Sequence, residues 1–302
     1  MKILITGAKG LLGSNLAFIY SKNHEIYATG KNKPNFKNCF NYELDITKKE
    51  DIKIIEKIKP EVVIHCAALT NLDFCEENKK IAENINSEGT KNIAKICDKI
   101  GCYLVHISTD GIFDGKKGNY SERDIPCPIN IYGKTKLMAE EQIKKINKKY
   151  LILRTTIYGW NSQDKFSLAE WMLDKLKKKE KFSGFEDIYF SPILVNNLAR
   201  VILELISKKY NGVLNITGSE TCSRLEFAKK IAKIFELNES LIYPLNSERI
   251  NFKAKRGKNL SLDIGEAKKI LQTSLLGVEE SLKEFKELRD NGFVEELKRQ
   301  NI

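Results

Sequence analysis

Short apolar runs alternate with amphipathic stretches through the first half of the chain. Apolar residues at helical spacing predict helices over 11–21, 48–58 and 77–100, and another that begins near Ile131. Strands that alternate with helices are typical of a parallel sheet joined by right-handed crossovers. We therefore predict an α/β fold with a doubly wound parallel sheet and helices on both faces. The predicted strands cover 2–6, 25–29, 41–45, 61–66, 103–108 and 150–155.

The alternation becomes less regular in the second half of the chain. One apolar segment, 212–216, predicts a strand that returns to the sheet. The other segments of this half are rich in helical patterns, so the two units would be interleaved. We predict a sheet domain over 1–158 with a returning segment near 188–217, and a smaller C-terminal lobe formed by 159–187 and 218–302.

The composition is that of a protein with a sizeable core and no membrane span. Hydrophobic residues make up 42% of the 302 residues, but no run reaches the roughly 18 apolar residues that a span needs. The N-terminal segment reaches Gly7 too soon to be a signal peptide, so we expect a cytoplasmic protein. The net charge of +11 comes from lysines spread over many helix faces. That pattern favours anionic cofactors and substrates rather than nucleic acid.

The cysteines and histidines have no spacing typical of a metal site. The seven cysteines include no C-x-x-C pair, which predicts reduced and mostly buried thiols. Two of the three histidines, His65 and His106, lie in apolar strand-like runs and are predicted to be core residues. We therefore predict no metal ligands.

A glycine-rich turn follows the first predicted strand and opens the first predicted helix. Gly7, Gly10 and Gly13 have the spacing G-x-x-G-x-x-G. The first permits a tight turn, the second a close approach to a pyrophosphate, and the third close packing of helix on strand. A helix N-terminus adds free N–H groups and partial positive charge. We predict a dinucleotide-binding Rossmann turn, although the glycines alone would also fit an ordinary turn. Its predicted contacts are Gly7, Lys9, Gly10, Leu11, Leu12 and Gly13.

The end of the second predicted strand bears on the choice between NAD(H) and NADP(H). A carboxylate there would bond the ribose hydroxyls, whereas a basic side chain accepts a 2′-phosphate. Lys31 and Lys33 follow the strand, and no carboxylate does. The pattern favours NADP(H), unless both are ordinary loop lysines.

Asp45 and Ile46, at the end of the third predicted strand, are further candidates for cofactor binding. Asp45 would accept a hydrogen bond from the adenine amino group, or it would cap the next helix. Thr47 competes for the cap, because Glu50 three residues further completes a capping box.

Two segments carry the candidate chemistry. Ser108, Thr109 and Asp110 follow the fifth predicted strand, at the edge where open parallel sheets bind ligands. Tyr132 and Lys136 are four residues apart, so a helix presents both on one face. A nearby ammonium would lower the pKa of the phenol from about 10 toward neutrality, so that it exchanges a proton at working pH. The Thr109 hydroxyl would bond the reacting carbonyl oxygen.

These segments together resemble an extended short-chain dehydrogenase/reductase. The closest resemblance is to the dTDP-4-dehydrorhamnose reductase family, which also includes the non-catalytic β subunit of methionine adenosyltransferase. It covers nearly the whole chain. It rests on the glycine turn at 6–13, LDIT at 44–47, HCAALTN at 65–71, STDGIFDG at 108–115, NIYGKTK at 130–136, SPI at 191–193 and LSLD at 260–263.

The resemblance implies that NADPH delivers hydride to the 4-keto group of a nucleotide-linked 6-deoxy sugar. Tyr132 would protonate the new alkoxide, Lys136 would tune Tyr132 and hold the ribose, and Thr109 would orient the carbonyl. Asp110 and Arg256 are candidate substrate contacts. The family also implies a homodimer. The implied cofactor contacts are Cys66, Ala67, Ala68, Thr70, Tyr132 and Lys136.

The departures from the family pattern fall in the sugar pocket. Gly111 stands where the family has a substrate-contacting tyrosine, and the segment 154–158 lacks the family's tryptophan. Gly257 follows Arg256 where the family has proline. A 4,6-dehydratase is disfavoured because Gly111 replaces the glutamate acid/base of that class. A nucleotide-sugar 4-epimerase and a non-catalytic NADP-binding regulatory subunit stay open as alternatives.

Overall fold

The computed structural model describes residues 1–163 and 165–300, with strands and helices alternating along the chain. The strands are β1 (Lys2–Thr6), β2 (Glu25–Gly30), β3 (Phe40–Glu43), β4 (Val62–His65), β5 (Tyr103–Thr109), β6 (Tyr150–Thr155), β7 (Ile157–Tyr158), β8 (Phe182–Phe185), β9 (Tyr189–Phe190), β10 (Ile193–Leu194), β11 (Gly212–Asn215), β12 (Cys222–Ser223) and β13 (Ile242–Leu245). The α-helices are α1 (Leu11–Tyr20), α2 (Lys49–Ile58), α3 (Leu72–Glu77), α4 (Lys79–Glu83), α5 (Thr90–Ile100), α6 (Ile131–Ile146), α7 (Leu168–Lys177), α8 (Val195–Ser207), α9 (Arg224–Ile234), α10 (Gly265–Ile270), α11 (Val278–Asp290) and α12 (Phe293–Arg299).

Seven strands form a parallel sheet in the order β11-β6-β5-β4-β1-β2-β3. The predicted doubly wound α/β sheet is therefore confirmed, including the returning strand at 212–215. The chain moves outward from β1 to β3 and then crosses to β4 on the other side of β1. This reversal opens a crevice at the carboxyl ends of β1 and β4, where such sheets bind ligands. Thr6 pairs with His65 there, so the two strand ends are level.

Both faces of the sheet are buried, which explains the continuous apolar runs. Ile3 and Ile5 point to a core that includes Leu16 of α1 and Leu198 of α8. Leu4 points to the opposite core, which α2 and α5 cover. Successive strand residues face opposite sides, so a strand covered on both sides needs apolar residues throughout.

A separate hydrophobic core holds the smaller lobe together. Its large aromatic members include Tyr158, Trp160, Phe227 and Phe285, contributed by the segment after β6 and by α9 and α11. The Trp160 ring stacks on Phe285 with centroids 4.1 Å apart. Most members of this core lie in the residues predicted for the C-terminal lobe, but Phe18 and Tyr158 lie in the predicted sheet domain, and Phe190 and Leu194 lie in its returning segment. The exact boundaries of the two units stay a prediction.

The helix predicted over 77–100 is confirmed for residues 79–100, but its start and its regularity differ from the prediction. Asn71 caps α3, accepting a hydrogen bond from the Phe74 amide at 3.0 Å, so helix begins before residue 77. Asn78, at φ −123° and ψ 56°, then breaks the helix. A π-helical stretch over Asn84–Gly89 follows before α5. A Cβ on Gly89 would lie 2.7 Å from Ile46, so this stretch packs very closely on the loop after β3.

None of the helices within residues 1–163 and 165–300 combines the length and hydropathy that a membrane-spanning helix requires. No cluster of three or more potential metal ligands is found in the same residues.

Gly13→Ala is expected to destabilise the fold. A Cβ there would lie 2.4 Å from the Gly7 carbonyl oxygen. Alanine gains about 1 kcal/mol of helix propensity, but overpacking this tightly against rigid backbone lies at the upper end of the usual range, at about 2–3 kcal/mol. We expect a net loss of about 1–2 kcal/mol in the free energy of unfolding, measured by urea denaturation. Gly10→Ala is the control, since its Cβ would approach the same oxygen only to 3.3 Å. A Gly13 variant as stable as the Gly10 variant would contradict the packing argument.

Candidate active site

The glycine turn presents free backbone donors at the start of α1. Gly7 has a φ of +66°, and a Cβ on it would lie 2.7 Å from Ala67, so only glycine fits this turn. Gly10 is the N-cap and makes no side-chain cap bond. Within residues 1–163 and 165–300, the amides of Leu11, Leu12 and Gly13 have no hydrogen-bond acceptor. Such a helix end suits a phosphate group, which would satisfy these amides and the helix dipole together.

The segment after β4 forms a wall beside this turn. The Cys66 amide donates to the Thr6 carbonyl at 3.2 Å, which continues the strand pairing toward Ala67. The Asn86 side chain then clamps Leu69, accepting from its amide at 2.8 Å and donating to its carbonyl at 3.0 Å. Residues 66–69 are half-buried, and Thr70 is exposed. The crevice between β1 and β4 is thus lined by the residues predicted to contact a cofactor.

The loop after β3 differs from the expected local structure. The strand ends at Glu43, so Asp45 lies beyond it. The Asp45 carboxylate accepts hydrogen bonds from the Thr47 amide at 2.9 Å and hydroxyl at 2.7 Å. Because Thr47 is engaged in this way, neither it nor Asp45 caps α2. The N-cap is Lys48, which makes no side-chain cap bond. Both capping interpretations are therefore wrong.

Asp45 is nevertheless held as a carboxylate near Lys31. Partial burial raises the pKa of Asp45, but the Thr47 hydrogen bonds and the charges of Lys31 and Lys48 outweigh burial, and the net pKa lies below its ordinary value. Lys31 is exposed just after β2, and Ile46 is buried. The exposed Lys31 cation therefore lies near the Asp45 carboxylate, on the side of the sheet away from β5.

Thr109 ends β5 and organises the next turn. Its hydroxyl donates to Asp110 Oδ1 at 3.0 Å and accepts from the Gly111 amide at 3.1 Å. Thr109 and Asp110 are 6% and 8% exposed. Burial raises the pKa of Asp110 to about 6, although the Thr109 hydrogen bond and the charge of Arg224 act in the opposite direction.

Helix α6 begins directly against this turn. Asn130 caps the helix, accepting from the Gly133 amide at 2.9 Å, and its side chain donates to the Lys255 carbonyl at 2.9 Å. A Cβ on Gly133 would lie 2.1 Å from the Gly111 carbonyl oxygen. Helix and turn can therefore approach this closely only with glycine at 133, and the approach brings Tyr132 next to Thr109.

The predicted lowering of the Tyr132 pKa by Lys136 is wrong for this structure. Burial raises the pKa of Tyr132 well above its ordinary value, and the Thr109 side chain counters this only in part. The Lys136 ammonium donates to the Ile107 carbonyl at 2.6 Å and lies 3.0 Å from His106 Nε2. Burial lowers the pKa of Lys136 to about 8, while Glu140 and Cys66 act to raise it. The phenol is thus protonated at neutral pH, and the ammonium is largely charged.

His65 and His106 are core residues, as predicted, but they also belong to a polar network. His65 Nδ1 lies 2.6 Å from the Thr6 hydroxyl, and its Nε2 lies 3.0 Å from the Thr90 hydroxyl. Both rings are buried, and burial lowers the pKa of both. Each is therefore neutral, so His106 Nε2 accepts a hydrogen bond from Lys136.

Two arginines of the smaller lobe stand near the site. Arg256 donates to Asp73 Oδ2 at 2.9 Å, so the predicted substrate contact is paired with α3 in this structure. Arg224 had no sequence signal. Its guanidinium lies over the Phe190 ring, 3.5 Å from the centroid, and its charge acts on Asp110. Arg224 comes near Asp110 only through the tertiary packing of α9 against the site.

Comparisons with known proteins agree with this architecture. The family model described as "RmlD substrate binding domain" matches residues 1–289. The crystal structure of dTDP-4-dehydrorhamnose reductase from Bacillus anthracis str. Ames in complex with NADP is 31% identical, with a TM-score of 0.86, over 95% of this chain and 99% of that chain. The rat (Rattus norvegicus) methionine adenosyltransferase 2 subunit beta is 31% identical over 87% of this chain and 80% of its own length. The probable low-salt glycan biosynthesis reductase Agl14 of Haloferax volcanii is 28% identical over 93% of this chain and 96% of its own length.

Asp110→Asn is expected to stabilise the protein at neutral pH. A carboxyl whose pKa is about 6 when folded, against about 3.9 when unfolded, disfavours folding once it ionises. The penalty is absent below about pH 4, grows between about pH 4 and 6, and is complete above that range. We expect the variant to gain about 1–2 kcal/mol at pH 7.5 and almost nothing at pH 4, measured by urea denaturation.

Asp114→Asn provides the control of opposite sign. A hydrogen bond from Tyr120 and further bonds hold the pKa of Asp114 below its ordinary value. That variant should lose stability at pH 7.5 and lose less at low pH. Equal destabilisation of the Asp110 variant at both pH values would refute the claim that ionised Asp110 disfavours folding.

Proposed function

The chain belongs to the RmlD substrate-binding-domain family, and from that membership we propose that it is an NADPH-dependent reductase of the 4-keto group of a nucleotide-linked 6-deoxy sugar. The observation that carries the proposal is the close approach of α6 to the end of β5, which places Thr109 and Tyr132 side by side, with Lys136 one helical turn further on and bonded to the Ile107 carbonyl. Two similar proteins are described as reductases, one of them in complex with NADP.

The residues around the crevice fit a dinucleotide. The amides of Leu11, Leu12 and Gly13, which find no acceptor in the described part of the chain, suit its diphosphate, with Gly7, Lys9 and Gly10 around them. Residues 66–68 and Thr70 would line the nicotinamide half, and Asp45 and Ile46 the adenine half. Lys31, exposed at the end of β2, would pair with the 2′-phosphate that distinguishes NADPH from NADH. When bound, NADPH supplies the hydride.

Tyr132 is suited to be the proton donor in the reducing direction. Because burial raises the pKa of its phenol, the proton is present at neutral pH and is released only to a stronger base, such as an alkoxide. The carbonyl carbon gains the hydride and the oxygen gains the Tyr132 proton, so C=O becomes CH–OH. Lys136 then stabilises the phenolate until solvent returns a proton, and Thr109 orients the carbonyl oxygen.

The sugar would lie between this edge of the sheet and the smaller lobe. Asp110 and Arg224 offer an acceptor and a donor, and Arg256 would exchange its Asp73 partner for a substrate phosphate. A Cβ at Gly111 would lie 3.4 Å from the Thr109 hydroxyl and 3.8 Å from the Tyr132 ring, so glycine leaves room there. In this proposal residues 1–158 and the segment near 188–217 bind cofactor, and residues 159–187 and 218–302 bind substrate.

A non-catalytic NADP-binding subunit is the second candidate. It is favoured by the identity of 31% to the rat methionine adenosyltransferase subunit, equal to that of the Bacillus reductase. This candidate binds NADPH but turns over no sugar, which makes the two separable in one assay.

Tyr132→Phe is expected to lower kcat by at least about 10²-fold, because the alkoxide loses its general acid. The assay follows oxidation of NADPH with a panel of 4-keto-6-deoxy sugar nucleotides. NADPH affinity should stay within about threefold of wild type, since the ring is retained. Tyr243→Phe, at an exposed tyrosine of β13, is the matched control and should be fully active. Tight NADPH binding without turnover of any sugar by the wild type would favour the second candidate. Undiminished turnover by Tyr132→Phe would refute the proton-donor role.

A further inference from the structure

Glu140 lies one turn beyond Lys136 on the same face of α6 and is fully buried. Its carboxylate is bonded from two strands. The Ser108 hydroxyl donates to Oε1 at 2.6 Å. Arg154, 2% exposed on β6, donates through Nε to Oε1 at 3.1 Å and through Nη2 to Oε2 at 2.8 Å. Lys144 lies further out, 3.7 Å from Oε2.

These bonds tie α6 to the residues that immediately precede Thr109. Lys136 is bonded to the Ile107 carbonyl, and Glu140 to the Ser108 hydroxyl, so two successive helical turns contact two successive residues of β5. A slide of α6 along β5 would break both contacts at once. The two contacts therefore fix the position of Tyr132 along β5 relative to Thr109.

Stability alone is a weak explanation for the buried ion pair between Glu140 and Arg154. Removing two charges from water costs several kcal/mol for each ion, and the attraction between them often only balances that cost. Buried pairs replaced by apolar residues of similar volume are often neutral or more stable. A role in positioning is the better-supported use of such a pair.

The surroundings of the Lys136 ammonium give Glu140 an electrostatic role as well. The groups near the ammonium include His65 of β4, the Cys66 thiol just after β4, and His106 of β5. Both histidines are neutral, and burial raises the pKa of the Cys66 thiol to about 12, so it is neutral too. From β6 comes the cation of Arg154. Glu140 therefore supplies a carboxylate that opposes the desolvation of Lys136.

We propose that Glu140, held by Arg154 and Ser108, is a positioning residue that keeps Lys136 protonated and keeps α6 in register with β5. This inference rests on the proposed function, in which Lys136 stabilises the Tyr132 phenolate and holds the nicotinamide ribose. Glu140 itself touches neither substrate nor cofactor.

Glu140→Gln tests the electrostatic half of the proposal, because it keeps the shape of the side chain and removes its charge. We expect the alkaline limb of the kcat/KM profile to move to lower pH by about one unit. The dissociation constant for NADPH should rise with pH over the same interval, and at pH 6 both quantities should lie near their wild-type values. Glu141→Gln is the matched control, since Glu141 is the next residue on α6 and is exposed. It should leave both profiles unchanged.

Glu140→Asp tests the positional half. It retains the charge but shortens the reach, so the pH profile should stay close to wild type while kcat falls about tenfold or more. If the shortened side chain displaces the pH profile as far as glutamine does, or glutamine displaces nothing, the proposal is overturned.

A double variant separates the effect of the lost charge from the effect of lost stability. Removing one partner of a buried pair leaves an uncompensated charge and is strongly destabilising, whereas removing both is often nearly neutral. Glu140→Gln/Arg154→Met should therefore regain thermal stability but keep a displaced pH profile, since Lys136 still lacks its carboxylate. If the double variant regains both the wild-type stability and the wild-type pH profile, Glu140 has a purely structural role and the inference is wrong. If the wild type turns over no sugar, the proposed function fails, and the pH dependence of NADPH binding still decides this inference.

Discussion

The docking of α6 onto the end of β5 is the constraint on which the rest of the site depends. Three contacts along one helix face define it. Gly133 lies against the Gly111 carbonyl, Lys136 bonds the Ile107 carbonyl, and Glu140 bonds Ser108 and Arg154. Each contact pairs a residue of α6 with the segment around Thr109. The phenol, the ammonium and the strand-end hydroxyl are consequently placed by one rigid unit rather than by separate loops.

The charge states of the site follow from the depth of this docking. Burial raises the pKa of Tyr132 and of Asp110, and it lowers the pKa of Lys136. At neutral pH these shifts leave a protonated phenol and, one helical turn further along α6, a largely charged ammonium, a combination that suits the proposed reductase at the moment its product alkoxide forms. Asp110 remains ionised at a cost in stability, a cost that functional sites commonly carry.

The fold was predictable from the sequence because its signals are local and strong. Strands buried on both faces read as continuous apolar runs, and the glycine turn between β1 and α1 has a spacing that few other turns share. The helix predicted over 77–100 is present from residue 79 to residue 100. Its break at Asn78 and its π-helical stretch, where Gly89 packs against Ile46, were not predicted, because periodicity does not distinguish α-helix from π-helix and does not show packing on a distant loop. The predicted caps of α2 were wrong because Asp45 and Thr47 hydrogen-bond to each other instead. Residue spacing alone does not show which of these local hydrogen bonds forms.

The candidate site was predictable in its members but not in its electrostatics. The four-residue spacing placed Tyr132 and Lys136 on one face, and extending it by one step reaches Glu140. The direction of the Tyr132 pKa shift was missed because burial depends on the whole fold. Arg224 was missed because the smaller lobe brings it to Asp110 from far along the chain.

In the proposed function the chain transfers hydride from NADPH to a sugar carbonyl at this edge of the sheet. The most direct measurement is mass spectrometry of the sugar nucleotide after incubation with NADPH that carries deuterium at the transferring position. We expect one deuterium in the product, bound to the carbon of the former carbonyl. An unlabelled sugar recovered from enzyme saturated with the labelled cofactor would contradict it.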